Sequence, residues 1–282
     1  MSWLCGAIDA TLDALDQWMR PKTMDPSPWL PGTTPSVEYE ARGVCLVFGP
    51  WNFPFLLAIE PVVAALAAGN TVMVKPNRLT PATADMVKAV VEAVFDEQLV
   101  AAFDGDDGVS DILLDQPVDQ IFFTGSPAVG RIIMAPAARH LASVTLELGG
   151  KCPAIIDGTH DLADSARLVG EGRHTNGGQV MTSEIFGPVL PVQTFEDTEE
   201  LLGHVRSAPK PLALYVYSDD DDFVSTVLAG TSSGGVTVNG FGTHVSEPQL
   251  GFGGVNNSGS GRYHGIWGFR EFSNPRSVLR HC

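Results

Sequence analysis

From residue 43 onward, segments that read as strands alternate with segments that read as helices, and this alternation restricts the chain to few folds. Gly43-Val44-Cys45-Leu46-Val47-Phe48 is the apolar, β-branched run of a buried strand, stopped at Gly49-Pro50. Residues 59–68 read as a helix ended by Gly69-Asn70. Thr71-Val72-Met73-Val74-Lys75 is the next strand, closed by Pro76. Thr80-Pro81 supplies an N-cap with proline in the first turn. Behind it Val87, Val90, Val91, Val94 and Phe95 form one apolar stripe. Residues 99–103 and 120–124 are two further short strands. Such an order predicts a parallel sheet with right-handed crossovers, whose ligands bind at the carboxyl ends of the strands.

Upstream, Ile8, Leu12, Leu15 and Met19 recur at helical spacing, so the chain begins with an amphipathic helix ending before Pro21. A loop rich in proline follows, through Pro26, Pro28, Pro31 and Pro35. Downstream, strands are expected at 154–157, 189–195, 212–217 and 235–239, with helices at 162–173, 199–205 and 223–229. Residues 251–268, rich in Gly, Asn and Ser, read as loop. The expected division is a first α/β domain over 1–150, a second α/β domain over 151–250, and a C-terminal loop and tail over 251–282.

A net charge of −16 argues against nucleic acid or an anionic membrane surface as partner. The acidic run Asp219 to Asp222 reads as a solvated helix start. Cys5, Cys45, Cys152 and Cys282 have neither metal-ligand spacing nor the density of a disulfide framework, so no metal site is expected and a reducing setting is the simplest inference. No stretch is long and apolar enough to span a membrane, and the first residues lack the order of a signal peptide. A cytoplasmic location is therefore expected.

Three strand ends carry residues suited to chemistry. In Val144-Thr145-Leu146-Glu147-Leu148-Gly149-Gly150-Lys151 a carboxylate sits between leucines, where desolvation favours its holding a proton. Glu147 is either a general base or a strand-end acid facing solvent. In Gly49-Pro50-Trp51-Asn52-Phe53-Pro54-Phe55 a carboxamide is held among aromatics and prolines. Asn52 is either an oxyanion donor or a turn asparagine satisfying its own backbone. Phe123-Thr124-Gly125-Ser126-Pro127 runs from strand into helix, with Ser126 as N-cap and Gly130 one turn on, a ready anion site. Lys75, last in its strand, is within reach of a ribose or phosphate oxygen.

Together these motifs resemble the aldehyde dehydrogenase superfamily. The sequences GPWNFPF, Lys75-Pro76, FTGS at 123–126, LELGGK at 146–151, EIFGPV at 184–189 and FGGVNNSGSGRYHG at 252–265 stand in the family's order. The Tyr263-His264-Gly265 pattern, with Gly268-Phe269 and Phe272-Ser273, looks most like the class 3 and fatty-aldehyde branch. The resemblance runs from about Trp18 to Leu279. It implies a Rossmann-like dinucleotide-binding domain plus an α/β catalytic domain, truncated here. It implies aldehyde oxidation with NAD or NADP, Asn52 as oxyanion-hole side chain and Glu147 as general base. By the same resemblance Pro50, Trp51 and Lys75 belong to the cofactor site, Gly125, Ser126 and Gly130 line the pyrophosphate, Glu184 holds the nicotinamide ribose and Phe186 its ring. Family analogy also implies a homodimer, or pairing with an intact relative.

Two departures bear on function. The family places its cysteine nucleophile after a Gly-Gln pair; here Gly178-Gln179 is followed by Val180-Met181 and then at once by the EIFGPV motif. The segment that should open with the cysteine is absent, and Cys152, five residues after Glu147, stands where the family usually has a serine. Arg78 stands where the family commonly has a glutamate that holds the adenosine ribose, and an arginine there favours a 2′-phosphate, hence NADP. Three readings follow: an enzyme whose sequence has lost a coding block, a pseudoenzyme that keeps its dinucleotide, or an unstable remnant.

Overall fold

The computed structural model describes residues 2–174 and 190–281. Among them the chain runs α1 (Ser2–Trp18), β1 (Lys22–Thr23), β2 (Thr33–Ala41), β3 (Val44–Phe48), α2 (Leu56–Ala67), β4 (Thr71–Lys75), α3 (Pro81–Val94), β5 (Val100–Ala102), α4 (Asp107–Leu114), β6 (Gln120–Gly125), α5 (Pro127–His140) and β7 (Ser143–Leu148). It continues through β8 (Ala154–Ile156), α6 (Leu162–His174), α7 (Thr198–Ser207), β9 (Ala213–Tyr217), α8 (Asp221–Gly230), β10 (Gly235–Val238), β11 (Gly259–Ser260), α9 (Gly265–Glu271) and β12 (Ser273–His281). This is an α/β fold in two compact units, one of Met1–Thr124, Ile132–Thr145 and Arg262–Cys282, the other of Gly125–Arg131 and Leu146–Gly261.

In the first unit β3 pairs in parallel with β4 and with β6, and β4 with β5. These four strands stand in the order β6-β3-β4-β5. Cys45, Leu46, Val47, Val72, Val74, Ile121 and Phe122 are buried, as expected of parallel strands covered on both faces. Phe122 stacks on Phe272 at 5.6 Å and meets the edge of Tyr263 at 5.1 Å, so the C-terminal segment closes this core. Helix α3 buries Ala84, Val87 and Val91, while Val94 is exposed; the stripe is narrower than its sequence predicts. Thr80 stands at the N-cap without a capping side-chain bond, its hydroxyl donating instead to Asn77 O.

In the second unit β10, β9 and β8 form a parallel sheet in that order. Alternation along β9 sorts its two faces. Leu214 and Val216 join Ile155, Leu202, Val205 and Val227 on one side, whereas Ala213, Tyr215 and Tyr217 join Val169 on the other. The acidic run behaves as predicted, with Asp220 capping α8 by accepting from Asp222 N and Phe223 N.

Three sequence expectations are corrected. The proline-rich loop gives way at Thr33 to a nine-residue strand, β2, which contains Pro35. Pro35 lies one residue beyond the β1 register at Ser36 and Val37; its carbonyl accepts from Met24 N, and with no N–H to return that bond it closes the β1 pairing. The strand expected at 189–195 is absent over residues 190–195. Val192 is 82% exposed, and only Phe195 finds apolar cover, against Phe223 at 6.4 Å. The stretch predicted as loop and tail contains α9 and the long strand β12, which pairs antiparallel with β2 over nine residues. Its sequence is polar and includes Pro275, which an edge strand tolerates, so no apolar alternation advertises it.

Asn70 locks the first unit. It is 1% exposed; its Oδ1 accepts from Arg42 N and Gly43 N, and its Nδ2 donates to Ala65 O and Phe272 O, all between 2.8 and 2.9 Å. Asn70→Ala strands the N–H groups of Arg42 and Gly43 and takes a donor from the Phe272 carbonyl, while Ala65 O keeps the backbone N–H of residue 70. Each group left buried without a partner costs about 1–3 kcal/mol. With partial relaxation the expected loss is about 3–5 kcal/mol, read as a lower midpoint in urea denaturation.

Candidate functional site

The carboxyl ends of β3, β4 and β5 bring the first group of candidates together within one unit. Gly49 N donates to Lys75 O at 3.0 Å, and Asn77 Nδ2 reaches Gly49 O at 3.5 Å, so the loop after β3 is tied to the loop after β4. A Cβ on Gly49 would lie 2.9 Å from Ala58 Cβ, so only glycine lets the chain turn this close to α2. The turn delivers Pro50, buried, Trp51, exposed, and Asn52, half-buried, to the start of α2. Asn52 Oδ1 accepts from Phe53 N at 3.1 Å, which occupies the carboxamide oxygen and leaves the NH2 as the group with donors to offer.

Lys75 is 6% exposed rather than solvated, and its Nζ donates to Gly105 O at 3.0 Å. Arg78 is exposed, in the loop between β4 and α3, with its backbone N only 2.9 Å from where a Gly105 Cβ would stand. Lys75, Arg78 and Gly105 thus converge. Gly105 escaped the sequence reading; its signal is a glycine between two aspartates immediately after a strand, in Phe103-Asp104-Gly105-Asp106.

The second unit holds the other candidates. Ser126 caps α5: its Oγ accepts from Val129 N at 3.3 Å and its carbonyl from Gly130 N at 2.9 Å. Gly125 is half-buried at the end of β6, and Gly130 is buried, where a Cβ would come 2.9 Å from Leu148 Cδ2. Glu147, the penultimate residue of β7, is 3% exposed and lies opposite Gly259 of β11. A Cβ on Gly259 would lie 2.3 Å from Leu146 O, so the glycine is what lets β11 cover the acid's strand. Its φ of +147° also favours glycine. Cys152 is exposed, its thiol directed to Gly150 O at 3.6 Å. Cys45 is buried in β3, and burial pushes its thiol up to about 12, which keeps it neutral and inert. Glu184, Phe186 and the Gln179-Val180-Met181 junction lie outside the described residues. No helix among the described residues is long and apolar enough to cross a membrane.

The profile of the Aldehyde dehydrogenase family matches residues 4–183 and 179–278. The Bacillus subtilis (strain 168) protein AldX is 35% identical over 97% of this chain and 82% of its own length, in an alignment of 367 residues. The dimeric NADP-preferring aldehyde dehydrogenase of Mus musculus is 32% identical over 96% of this chain and 79% of its own. Among solved structures, the substrate-bound state of Staphylococcus aureus AldH matches with a TM-score of 0.93 at 27% identity, covering 99% of this chain and 80% of that one. This chain belongs to the aldehyde dehydrogenase family.

The close approach at Gly105 is testable by stability. Gly105→Ala forces the Arg78 backbone away and is expected to cost about 1–3 kcal/mol in urea denaturation. Gly6→Ala on α1 meets nothing within 4 Å and is expected to be neutral or stabilising by up to about 1 kcal/mol.

Proposed function

We propose that this chain is a member of the aldehyde dehydrogenase family that retains a dinucleotide, NADP in preference to NAD, but does not oxidise aldehydes by itself. One observation carries the second half: Val180-Met181 follow Gly178-Gln179 where the family has its cysteine. Two facts from the comparisons support a missing block at that point. The two matched stretches meet at residues 179–183, and the alignment with AldX is longer than the 282 residues of this chain.

The residues present suit a dinucleotide. Lys75 is a buried ammonium at a strand end, fit to bind an adenosine ribose, and Arg78 beside it is cationic at any working pH. The N-terminus of α5, capped by Ser126 and preceded by Gly125, offers backbone N–H groups to a pyrophosphate. By family resemblance Pro50 and Trp51 belong to the cofactor site, and Glu184 and Phe186 take the nicotinamide ribose and ring; Gly130 seats α5 against Leu148. When bound, NAD or NADP supplies the hydride acceptor. Asn52 directs an N–H toward a developing oxyanion, and Glu147 is the base for a hydrolytic water. Without a thiolate neither of these groups has a covalent adduct to act on. A cytoplasmic location and a homodimer, or pairing with an intact relative, complete the reading.

Purified protein is expected to form no reduced nicotinamide on addition of an aliphatic or aromatic aldehyde. Turnover abolished by Cys152→Ser would overturn this and make Cys152 the nucleophile. Reading the genomic DNA between the codons for Gln179 and Met181 tests whether the block is absent from the gene itself.

Cofactor choice is tested separately by calorimetry. A charged hydrogen bond from Arg78 to a 2′-phosphate is worth roughly 1.5–3 kcal/mol, so NADP is expected to bind about tenfold or more tightly than NAD. Arg78→Glu reverses the order, and Lys75→Ala weakens both. Equal affinities in the unmutated chain would make Arg78 a bystander.

A further inference from the structure

His160, between β8 and α6, is surrounded by carboxylates from several elements. Its Nδ1 lies 2.8 Å from Asp219 Oδ1, in the turn between β9 and α8, and its Nε2 lies 3.8 Å from Asp164 Oδ2, on the first turn of α6. The imidazole is 18% exposed, and Nε2 is enclosed without a hydrogen-bond partner. From β9 the ring of Tyr217 lies 6.3 Å from the imidazole, its phenol kept neutral because burial raises it above the ordinary range. The neighbouring charges have their own tasks. Asp164 Oδ1 holds Arg167 at 2.6 Å, leaving Oδ2 to face His160. Asp161 caps α6 by accepting from Ala163 N and Asp164 N. Asp157 accepts from Thr159 and Ser218, and Asp220 caps α8. Asn239 Nδ2 approaches Asp219 Oδ1 at 3.4 Å and helps hold that carboxylate in place.

A neutral ring bonded to Asp219 through Nδ1–H presents a buried lone pair at Nε2 to the Asp164 carboxylate, acceptor against acceptor. A second proton replaces that opposition with an N–H aimed at Asp164. The N-terminal dipole of α6 opposes the added charge, and Asp161 and Asp164 offset it. We propose that His160 is a proton-operated latch: as imidazolium it bridges Asp219 and Asp164 and ties the first turn of α6 to the turn between β9 and α8.

The hydrogen bond to Asp219 raises the ring's proton affinity above the ordinary imidazole range; partial burial opposes this, and the charges of Asp219, Asp164 and Asp161 add to it. A group that binds its proton more tightly folded than unfolded contributes its full stability below about 6.5 and loses it as pH rises through the folded value. The latch is therefore closed in mild acid and released toward alkaline pH.

Imidazole NMR on the full chain, with the His160 signal assigned by its loss in His160→Gln, is expected to show titration above the ordinary value. Asp219→Asn should move it down, and Asp164→Asn should do so to a smaller extent. Amide exchange at residues 163–166, corrected for its intrinsic pH dependence, should accelerate as pH passes the folded value, and this pH dependence should vanish in His160→Gln. Titration at or below the ordinary value, or no downward shift in Asp219→Asn, overturns the proposal; so does an unchanged pH dependence in His160→Gln. If His160→Gln fails to fold, Asp219→Asn keeps the ring, and its shift alone decides.

Discussion

The carboxamide of Asn70 is the point at which separate stretches of the first unit are made to agree. It receives two backbone N–H groups from the turn into β3 and gives its own hydrogens to the end of α2 and to the residue before β12. Arg42 continues the tie, donating to Glu271 O at 2.9 Å and Ser143 Oγ at 2.8 Å. Thr145 in turn donates to Glu271 Oε1 at 2.7 Å and accepts from Gln120 Nε2 at 3.1 Å. Each of these groups is costly to bury alone, so the C-terminal segment, the middle strands and α2 must reach their places together.

The network ties the amino ends of β3 and β4; at the carboxyl ends of the strands the candidate chemistry is arranged by what glycine permits. Gly49 lets the Asn52 turn press on Ala58, Gly105 lets its loop meet the backbone of Arg78, and Gly259 lets β11 pass over Leu146. Side chains at those positions would displace backbone, not merely other side chains. The polar residues are thereby offered from fixed main chain, which is what a preorganised site requires.

Much of this was legible in the residues because burial and function both leave periodic or punctuated signals. The strand 71–75 read from Thr71-Val72-Met73-Val74-Lys75 has the bounds of β4, since a parallel strand is apolar throughout and Pro76 ends it. Ser126 and Pro127 marked the start of α5 because a cap and an N1 proline are local chemistry. The misses share one cause. β12 owes its existence to a partner some 230 residues away, and its own residues are mostly exposed. Leu190 and Val192 are apolar yet exposed, so composition promised a strand that no neighbour among the described residues completes. The burial of Lys75 and the location of its acceptor, Gly105, depend on β4 and β5 lying side by side, which no single segment reveals.

The pairing of β12 with β2 has a consequence for how the chain is made. Ser273 meets Ala41 and His281 meets Thr33, so a sheet begun at residues 33–41 is finished only by residues 273–281. Such non-local closure is slow, because the entropy of a long loop is lost before any pairing repays it. During synthesis β2 emerges long before its partner exists, with only the two residues of β1 to pair with. Its other edge stays bare until residues 273–281 have been made. In that interval the nascent chain depends on whatever shields an unpaired strand from its neighbours on the same message.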